Sequence, residues 1–252
     1  MNISLKGKVI LVTGGSRGIG AAICQALGEA GATLAVHYRS NQKQAESIVQ
    51  QVGQESKAFQ ADLAHSKEVI NLFRQVLASF KKIDVVINNA GVAFSVDIQA
   101  TDDAWIKAWD QTFAINTRAQ GILCKKAVEV FKSNGGGRII NIASRAAFRG
   151  DTLEYLAYGA SKGAIPALTR SIARYCGKDN IQAFCIAPGF VRTDMAQEFM
   201  DQYGEEYALN DIALNQLTEP KDLAPTVVFL ASGLADHATG TTIDINAASY
   251  VR

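Results

Sequence analysis

The sequence predicts an α/β fold: a single, doubly wound domain with a seven-stranded parallel sheet and helices on both faces. Short runs rich in β-branched residues alternate with longer segments whose apolar residues recur at helical spacing. Several of these runs are apolar throughout, as strands must be when helices cover both faces of a parallel sheet. In such a fold we expect a ligand beyond the carboxyl ends of the strands, where the strand order reverses.

Taken in chain order, seven runs are assigned to strands, at residues 8–13, 33–37, 57–60, 84–88, 138–142, 182–187 and 241–245. Helical patterns fill the intervals between them, for example Ile23, Leu27 and Ala30 after the first run. The stretch at about 190–220 is weakly patterned and holds only short helical pieces, such as 195–200. Because it follows a strand at the expected cleft, we interpret it as a short helical substrate lid, and a plain surface pair of helices is the alternative.

Composition excludes several classes of protein. The 252 residues carry 25 Lys+Arg against 24 Asp+Glu and are 48% hydrophobic, which excludes disorder and a net basic, nucleic-acid-coating or membrane-coating protein. No linker divides the chain, so one domain is expected over residues 1–252. The four scattered cysteines form no metal-binding or disulfide pattern, and no run is long enough to cross a bilayer. We expect no metal, no nucleic acid, no membrane and a cytoplasmic location.

A glycine-rich turn lies between the first strand and the first helix and reads Thr-Gly-Gly-Ser-Arg-Gly-Ile-Gly at 13–20. Glycines let the backbone turn sharply and approach a pyrophosphate, and the helix that follows offers unpaired N–H groups at the positive end of its dipole. The position between strand and helix is what makes the motif meaningful. It predicts a dinucleotide site that includes Gly14, Ser16, Arg17, Gly18 and Ile19.

The end of the second strand indicates which dinucleotide is bound. An NAD site usually has an acidic residue there for the ribose 2′-hydroxyl, but this segment reads His-Tyr-Arg-Ser-Asn at 37–41. The guanidinium groups of Arg17 and Arg39 can clamp a 2′-phosphate instead. We therefore predict NADP(H), with Tyr38, Arg39 and Ser40 among its contacts. The alternative is that Arg39 is only a solvated charge and that the site does not discriminate.

Further motifs follow later strands: Asn-Asn-Ala-Gly at 88–91, Ser144, Tyr-Gly-Ala-Ser-Lys at 158–162 and Pro-Gly at 188–189. With the glycine-rich turn, this ordered set resembles the short-chain dehydrogenase/reductase family over nearly the whole chain. Within that family the 3-oxoacyl-[acyl-carrier-protein] reductases are the most similar. The resemblance implies a Rossmann-type domain, an NADP-dependent oxidoreductase of fatty acid biosynthesis and a homotetramer.

The chemistry of the motifs agrees with that resemblance. Tyr158 and Lys162 lie four residues apart on a helix, so they share a face, and the ammonium is expected to lower the pKa of the phenol. Tyr158 then protonates a carbonyl oxygen as hydride arrives, and Ser144 polarises the same oxygen. The resemblance implies Asn116 as a fourth catalytic residue, which holds a water chain through Lys162. The alternative is that Asn116 only binds nearby backbone.

The substrate pocket is expected to include Ser144, Arg145, Tyr158 and Tyr155. Tyr155 lies seven residues before Lys162, so it can share the helix face but cannot closely adjoin the ammonium, and we interpret it as a wall of the pocket. Other contacts are implied by the resemblance. The remaining cofactor contacts are Asp62, Leu63, Asn89, Ala90, Gly91, Tyr158, Lys162, Pro188, Gly189 and Thr193. For Asp62 the alternative is that it only caps the helix that follows it.

The leading substrate is a 3-oxoacyl thioester, with an acyl carrier protein as a candidate partner. Three features depart from that expectation. Few basic residues are available for an acidic carrier, the loop at 145–156 carries four charges, and Ala247-Ala248 replace the usual Gly-Gly pair, so that turn is expected to differ. The alternatives are a reductase or dehydrogenase of a sugar, polyol or other small ketone, and a non-catalytic NADP-sensing protein. The candidate carrier contacts are Lys125, Lys126, Lys132 and Lys178.

Overall fold

The computed structural model describes residues 3–53 and 55–251. All seven predicted strands are present, each beginning and ending within one residue of its run, and they form one parallel sheet in the order β3-β2-β1-β4-β5-β6-β7. The predicted fold class is confirmed. The strands are β1 (Val9–Val12), β2 (Thr33–Tyr38), β3 (Lys57–Gln60), β4 (Val85–Asn88), β5 (Gly137–Ile142), β6 (Ile181–Pro188) and β7 (Thr242–Ile245).

Helices cover both faces of the sheet. Those of the first face are α1 (Gly18–Glu29), α2 (Gln42–Val52) and α10 (Pro220–Ser232). Those of the second are α3 (Ser66–Phe80), α5 (Ala119–Asn134) and α7 (Leu156–Cys176). The other helices are α4 (Asp102–Phe113), α6 (Ala146–Arg149), α8 (Asp194–Tyr203) and α9 (Glu205–Asn210). Across residues 3–53 and 55–251, none of the helices combines the length and apolar character that a bilayer crossing requires.

The strands are continuous apolar runs because both of their faces are buried. Side chains alternate across a strand, so Ile10 and Val12 pack under α1 and α10, whereas Leu11 packs under α3 and α5. Val85 and Val86 of the neighbouring strand divide in the same way. The two cores lock the register of the sheet, since a slip by one residue would exchange the two sets of side chains.

The strand order reverses between β1 and β4, which are direct neighbours. From β1 the chain continues to β2 and β3 on one side, and the later strands extend from β4 on the other. The carboxyl ends of β1 and β4 therefore border the crevice in which doubly wound sheets bind ligands. The glycine-rich turn follows β1, and the motif at 88–91 follows β4, so both stand at this crevice.

Two helices, α8 and α9, occupy the segment at 190–220. They enclose a small apolar cluster of their own, which includes Ala196, Met200, Ala208 and Leu217. The base of the segment is closed by a parallel bridge between Val191 and Thr218. The segment is thus a separate helical flap beside the crevice, and its role as a substrate lid stays a prediction.

Candidate active site

The glycine-rich turn has the shape that a pyrophosphate requires. Gly14 and Gly18 have φ angles of +63° and +53°, which favour glycine, and a β-carbon on Gly20 would overlap the carbonyl oxygen of Gly14. The side chain of Arg17, the N-cap residue of α1, makes no hydrogen bond to the first turn of this helix. The unpaired N–H groups of that turn suit an anion. These residues therefore fit the diphosphate of a dinucleotide.

His37 holds this turn in place, and sequence reasoning missed it. The N–H of Gly14 donates to His37 Nδ1 at 3.0 Å, and Nε2 lies 3.0 Å from the carbonyl oxygen of Ala61, to which it donates. Burial lowers the pKa of His37 to about 4, so the ring is neutral. The available signal was a polar residue inside an otherwise apolar strand run.

Of the three cofactor contacts predicted at the end of β2, two are exposed and one is buried. Arg39 and Ser40 are exposed beside the crevice, but the Tyr38 side chain is 7% exposed and packs in the core against α2. Tyr38 can therefore offer only backbone atoms to a cofactor. The other predicted phosphate ligand, Arg17, is ion-paired with Asp194 at 2.7 Å. The glycine-rich turn is thereby joined to the start of α8.

The residues predicted to border the adenine use their side chains mainly to support the fold. Asp62 Oδ1 accepts from the N–H of Ala64 at 2.9 Å just before α3, so this carboxylate binds local backbone, although His65 is the N-cap. The Leu63 side chain is buried in the core. Any contact of Leu63 with adenine must therefore come from its backbone.

The two strand ends at the crevice are tied together by Thr13 and Asn89. Asn89 Nδ2 donates to the carbonyl oxygens of Thr13 and Gly14, at 2.9 and 3.2 Å. Thr13 Oγ1 in return accepts from the backbone N–H groups of Asn89 and Ala90. These bonds fix the predicted ribose-side residues, whereas Thr13 itself was not among the predicted contacts.

The three central catalytic candidates meet at the carboxyl end of β5. Ser144 follows this strand and is 8% exposed, while Tyr158 and Lys162 share one face of α7. Ser144 hydrogen-bonds the Tyr158 side chain, and its Oγ also accepts from the N–H of Ala146 at 3.1 Å. Two hydroxyl groups are thus placed together beside the crevice, where one carbonyl oxygen can bind both.

Lys162 is almost fully buried, at 3% exposure. Its Nζ donates to the carbonyl oxygen of Ile142 at 2.9 Å and lies 5.9 Å from the centre of the Tyr158 ring. Burial lowers the pKa of Lys162 to about 8, because the apolar surroundings disfavour the ammonium.

The expected lowering of the Tyr158 pKa by Lys162 is wrong for this structure. The pKa of Tyr158 is raised, chiefly by burial, and the hydrogen bond with Ser144 opposes the increase only in part. The Lys162 ammonium lies 5.9 Å from the ring centre and donates to backbone, so its attraction for a phenolate is too weak to bring the pKa of Tyr158 below the usual value. Tyr158 therefore keeps its proton at neutral pH, as a proton donor must.

Asn116 lies in a single π-helical turn, Ala114–Arg118, between α4 and α5. Its side chain accepts from the N–H of Val92 and donates to the carbonyl oxygen of Val92, both at 2.8 Å, and it also donates to Ser161 Oγ. Asn116 thus binds backbone, as the alternative interpretation had it. A β-carbon on Gly91 would lie 3.3 Å from Asn116 Oδ1 and 3.2 Å from Lys162 Nζ, so both side chains pack against Gly91. The water chain stays a prediction.

A buried polar network, not foreseen from the sequence, fastens α7 to the sheet. Asn88 Nδ2 donates to Asn141 Oδ1 at 2.8 Å, and Asn141 Nδ2 donates to Thr169 Oγ1 at 2.9 Å. The three residues belong to β4, β5 and α7 and are fully buried. Since α7 carries Tyr158 and Lys162, this network sets their position relative to the strand ends.

A charged wall stands beside Ser144. Arg145 is 8% exposed, stacks over the Phe190 ring at 4.4 Å and forms an ion pair with Asp211. Arg149, at the end of α6, bonds both carboxylate oxygens of Asp211, at 2.9 and 2.7 Å. The predicted substrate residue Arg145 thus contacts the helical flap, and the partner Asp211 was not predicted. Tyr155 lies half-buried at the start of α7, where a pocket wall is predicted.

The segment predicted to border the nicotinamide adjoins the glycine-rich turn. The N–H of Arg145 donates to the carbonyl oxygen of Pro188, and the N–H of Gly189 donates to that of Ile245, at 2.8 and 3.0 Å. Thr193 caps α8, and its methyl group would lie 3.2 Å from a β-carbon on Gly18. The structure brings these predicted residues to the same crevice.

Most of the candidate basic residues for a carrier protein are already paired. Lys125 and Lys126 both bind Glu129, and Lys132 binds Asp179 at 2.9 Å. These acids offset part of the positive charge that was expected to bind an acidic partner.

The C-terminal turn keeps a glycine-like backbone without glycine. Ala247 and Ala248 have φ angles of +50° and +58°, in the left-handed region that L-residues with a β-carbon disfavour. Ala247 accepts through its carbonyl oxygen from the N–H of Ala213, which lies beyond α9. The alanines are therefore strained in a turn that connects β7 to the helical flap.

Known proteins share both the sequence and the fold. The family model described as enoyl-(acyl carrier protein) reductase matches residues 14–247. Versicolorin reductase 1 of Aspergillus parasiticus is 34% identical over 99% of this chain and 98% of its own length. The 3-oxoacyl-[acyl-carrier-protein] reductase FabG of Staphylococcus aureus is 33% identical over 97% and 98%. A putative NAD(P)-dependent gluconate 5-dehydrogenase of Beutenbergia cavernae with bound NADP superposes with a TM-score of 0.89, at 28% identity over 98% of each chain.

The chain belongs to the short-chain dehydrogenase/reductase family. Its sheet order, the glycine-rich turn at the switch point and the grouping of Ser144, Tyr158 and Lys162 are the features that the family uses. It is therefore an oxidoreductase that works with a nicotinamide cofactor.

Proposed function

We propose that this protein is an NADPH-dependent carbonyl reductase that converts a ketone to a secondary alcohol. The observation that carries the proposal is the grouping of Ser144 and Tyr158 beside buried Lys162, next to a glycine-rich turn that fits a dinucleotide. When bound, the nicotinamide supplies the hydride that reduces the carbonyl carbon.

Each residue of the group has a distinct task. Ser144 donates a hydrogen bond to the carbonyl oxygen and holds the substrate in place. Tyr158, whose pKa is raised by burial, gives its proton to the same oxygen as negative charge develops there. The Lys162 ammonium stabilises the resulting phenolate from inside the site. Asn116 is hydrogen-bonded to the backbone of Val92 and to Ser161 and is proposed to support proton resupply.

Residues around the crevice would hold the cofactor. The glycine-rich turn would bind the diphosphate, and Arg39 with Arg17 would bind a 2′-phosphate. The absence of an acid at the end of β2 supports NADP(H) over NAD(H). An Arg39→Ala variant should raise the KM for NADPH at least tenfold and change the KM for NADH by less than threefold. Equal effects on the two cofactors would contradict the assignment of Arg39.

A 3-oxoacyl thioester is the first substrate class, supported by the similarity to FabG over nearly the whole chain. Docking of an acyl carrier protein has less support, because the paired lysines leave little positive charge for it. A homotetramer and a cytoplasmic location complete this proposal by analogy with the family.

A small polar ketone, such as one derived from a sugar or polyol, is the second class. The observation in its favour is the charged wall of Arg145, Arg149 and Asp211, because polar substrates can bind such groups and an acyl chain cannot. A structural relative described as a putative gluconate 5-dehydrogenase adds support.

A screen of cofactor oxidation separates these functions. Purified protein is supplied with NADPH or NADH and with acetoacetyl thioesters, sugars, polyol-derived ketones and simple ketones. We expect consumption of NADPH with at least one ketone. NADPH binding without turnover on any of them would favour a non-catalytic NADP-sensing protein, and faster turnover with NADH would contradict the cofactor assignment.

A further inference from the structure

We propose that the substrate carries a carboxylate a few bonds from its reacting carbonyl and that Arg149 binds this carboxylate. The preferred substrate is then a short oxo acid. This inference rests on the proposed function, since it names the substrate class of the same site, and it depends on the contacts of α6 with the helical flap and the C-terminal turn.

Arg149 is held at one end and open at the other. Its Nη1 makes all the bonds described for this guanidinium, to both oxygens of Asp211 and, at 3.4 Å, to the carbonyl oxygen of Ser249. The side chain is 33% exposed, and within the described part of the chain Nε and Nη2 have no partner. The edge formed by Nε and Nη2 presents two parallel donors, the geometry that binds a carboxylate with two hydrogen bonds.

The two arginines of the wall share one ion-pair partner. Asp211 forms ion pairs with both Arg145 and Arg149, so two guanidinium groups share one carboxylate. A second acid, Asp151, interacts electrostatically with both arginines, but its carboxylate accepts a hydrogen bond from the N–H of Thr152 and, within the described residues, forms no ion pair with either of them. Burial raises the pKa of Asp151, and the two guanidinium groups oppose this rise. An added carboxylate would give Arg149 an ion-pair partner that it does not share with Arg145.

The position of Arg149 limits the length of the substrate. Arg149 ends α6 and lies five residues after Ser144, and the backbone rises roughly 7–8 Å over five residues at 1.5 Å per residue. A substrate whose carbonyl oxygen binds Ser144 and Tyr158 can therefore reach Arg149 with a chain of only a few carbon atoms. The phosphate of a pantetheine arm lies many bonds further from its thioester, so this geometry favours a carboxylate on the substrate itself.

Asp151 gives the site a direction. Its Cβ would lie 3.7 Å from a β-carbon on Gly159, the residue next to Tyr158, and it contributes unfavourably to a negative charge on Tyr158. The acid therefore stands beside Tyr158, whereas Arg149 is bound to Asp211 of the helical flap and to the C-terminal turn. A substrate anion is repelled from the reacting centre and bound at its rim.

The test compares oxo acids with their neutral amides. The acids are 3-oxobutanoate, 4-oxopentanoate and 5-oxohexanoate. Each acid and its primary amide are assayed by NADPH oxidation. We expect at least one acid to exceed its amide tenfold or more in kcat/KM. In Arg149→Gln the acid-to-amide ratio should fall at least tenfold, and in Arg149→Lys it should be intermediate, because a lysine keeps the charge but loses the paired donors.

Two further variants separate recognition from mere support of the flap. Arg174→Gln removes an exposed arginine at the far end of α7, about 24 Å from Tyr158 along the helix, and should leave the ratio unchanged. Asp211→Asn releases both guanidinium groups and should raise the ratio. If Arg149 only anchored the flap, Arg149→Gln and Asp211→Asn would depress acids and amides alike, which would overturn the inference.

The remaining outcomes are also decisive. Turnover of amides and acids at equal rates in the unmodified protein would overturn the inference while the proposed function stood. Turnover of long acyl thioesters alone, with a loss in Arg149→Gln, would assign Arg149 to a different anion and would equally overturn it. Failure of every ketone would instead reject the proposed function.

Discussion

At the residue scale, burial sets the protonation of the groups that matter most in the site. His37 is neutral because it is enclosed between the glycine-rich turn and Ala61, and Tyr158 keeps its proton because the phenolate is disfavoured there. The pKa of Lys162 is lowered to about 8, so this side chain loses its proton at a lower pH than an exposed lysine does. Burial thus makes Tyr158 a proton donor at neutral pH and makes Lys162 a cation that titrates near neutral pH.

The pH dependence of the reduction should report Lys162. As pH rises through about 8, Lys162 loses its proton and no longer stabilises the phenolate that Tyr158 becomes. We expect kcat/KM for ketone reduction to be level near pH 7 and to fall tenfold per pH unit above about pH 8. Steady-state rates between pH 6 and 10 measure this, with Lys162→Met as the control whose residual rate should lack the decline. A level profile up to pH 10 would refute the role of Lys162.

His37 should make the fold sensitive to mild acid. Below pH 6.5 the unfolded chain binds a proton at His37, whereas the folded protein does so only near pH 4, so stability falls as pH falls between these values. The loss is about 1.4 kcal/mol per pH unit. Urea unfolding at several pH values should show a steeper decline in the unmodified protein than in His37→Gln. Parallel declines would show that His37 titrates normally in the folded state.

The sequence could predict residues whose partners are near in the chain. Tyr158 and Lys162 share a helix face because they are four residues apart, and the glycine-rich turn is a local motif. The bonds from His37 to Ala61 and from Arg145 to Asp211 join distant segments, so no local spacing reveals them. The Tyr158 pKa was misjudged for the same reason, since burial depends on the whole fold.

At the scale of elements, hydrophobic patterning predicted the sheet well. Each of the seven strands is a run whose two faces are both covered, so a short apolar run was a reliable signal. The network of Asn88, Asn141 and Thr169 could not be predicted, because it depends on the pairing of β4 with β5 and on the approach of α7. The helical flap was located, but its ion pairs to Arg17 and Arg145 were not.

The turn after β7 should be easy to stabilise. Ala247 and Ala248 adopt φ angles of +50° and +58°, at which a β-carbon is unfavourable. Replacing either by glycine should raise the free energy of unfolding by about 0.5–1 kcal/mol, measured by urea denaturation. In the matched control Ala167→Gly, at an exposed position inside α7, stability should fall by about 1 kcal/mol. A loss of stability in Ala247→Gly would mean that the turn is not strained.

At the scale of the whole molecule, near-neutral charge conceals local imbalance. The 25 basic and 24 acidic residues pair over much of the surface, as Lys125, Lys126 and Lys132 do. At the crevice, Arg39 is exposed at the end of β2, and Arg145 and Arg149 share the carboxylate of Asp211. These guanidinium groups offer positive charge to an anionic ligand of the crevice.

The most direct test of the central claim is a Tyr158→Phe variant assayed with NADPH and the best ketone of the screen, together with fluorescence titration of NADPH. Phenylalanine keeps the ring and removes only the proton donor. We expect kcat/KM to fall at least 100-fold while the Kd for NADPH changes by less than twofold. Activity within threefold of the unmodified protein, with intact cofactor binding, would contradict the assignment of Tyr158 as the proton donor.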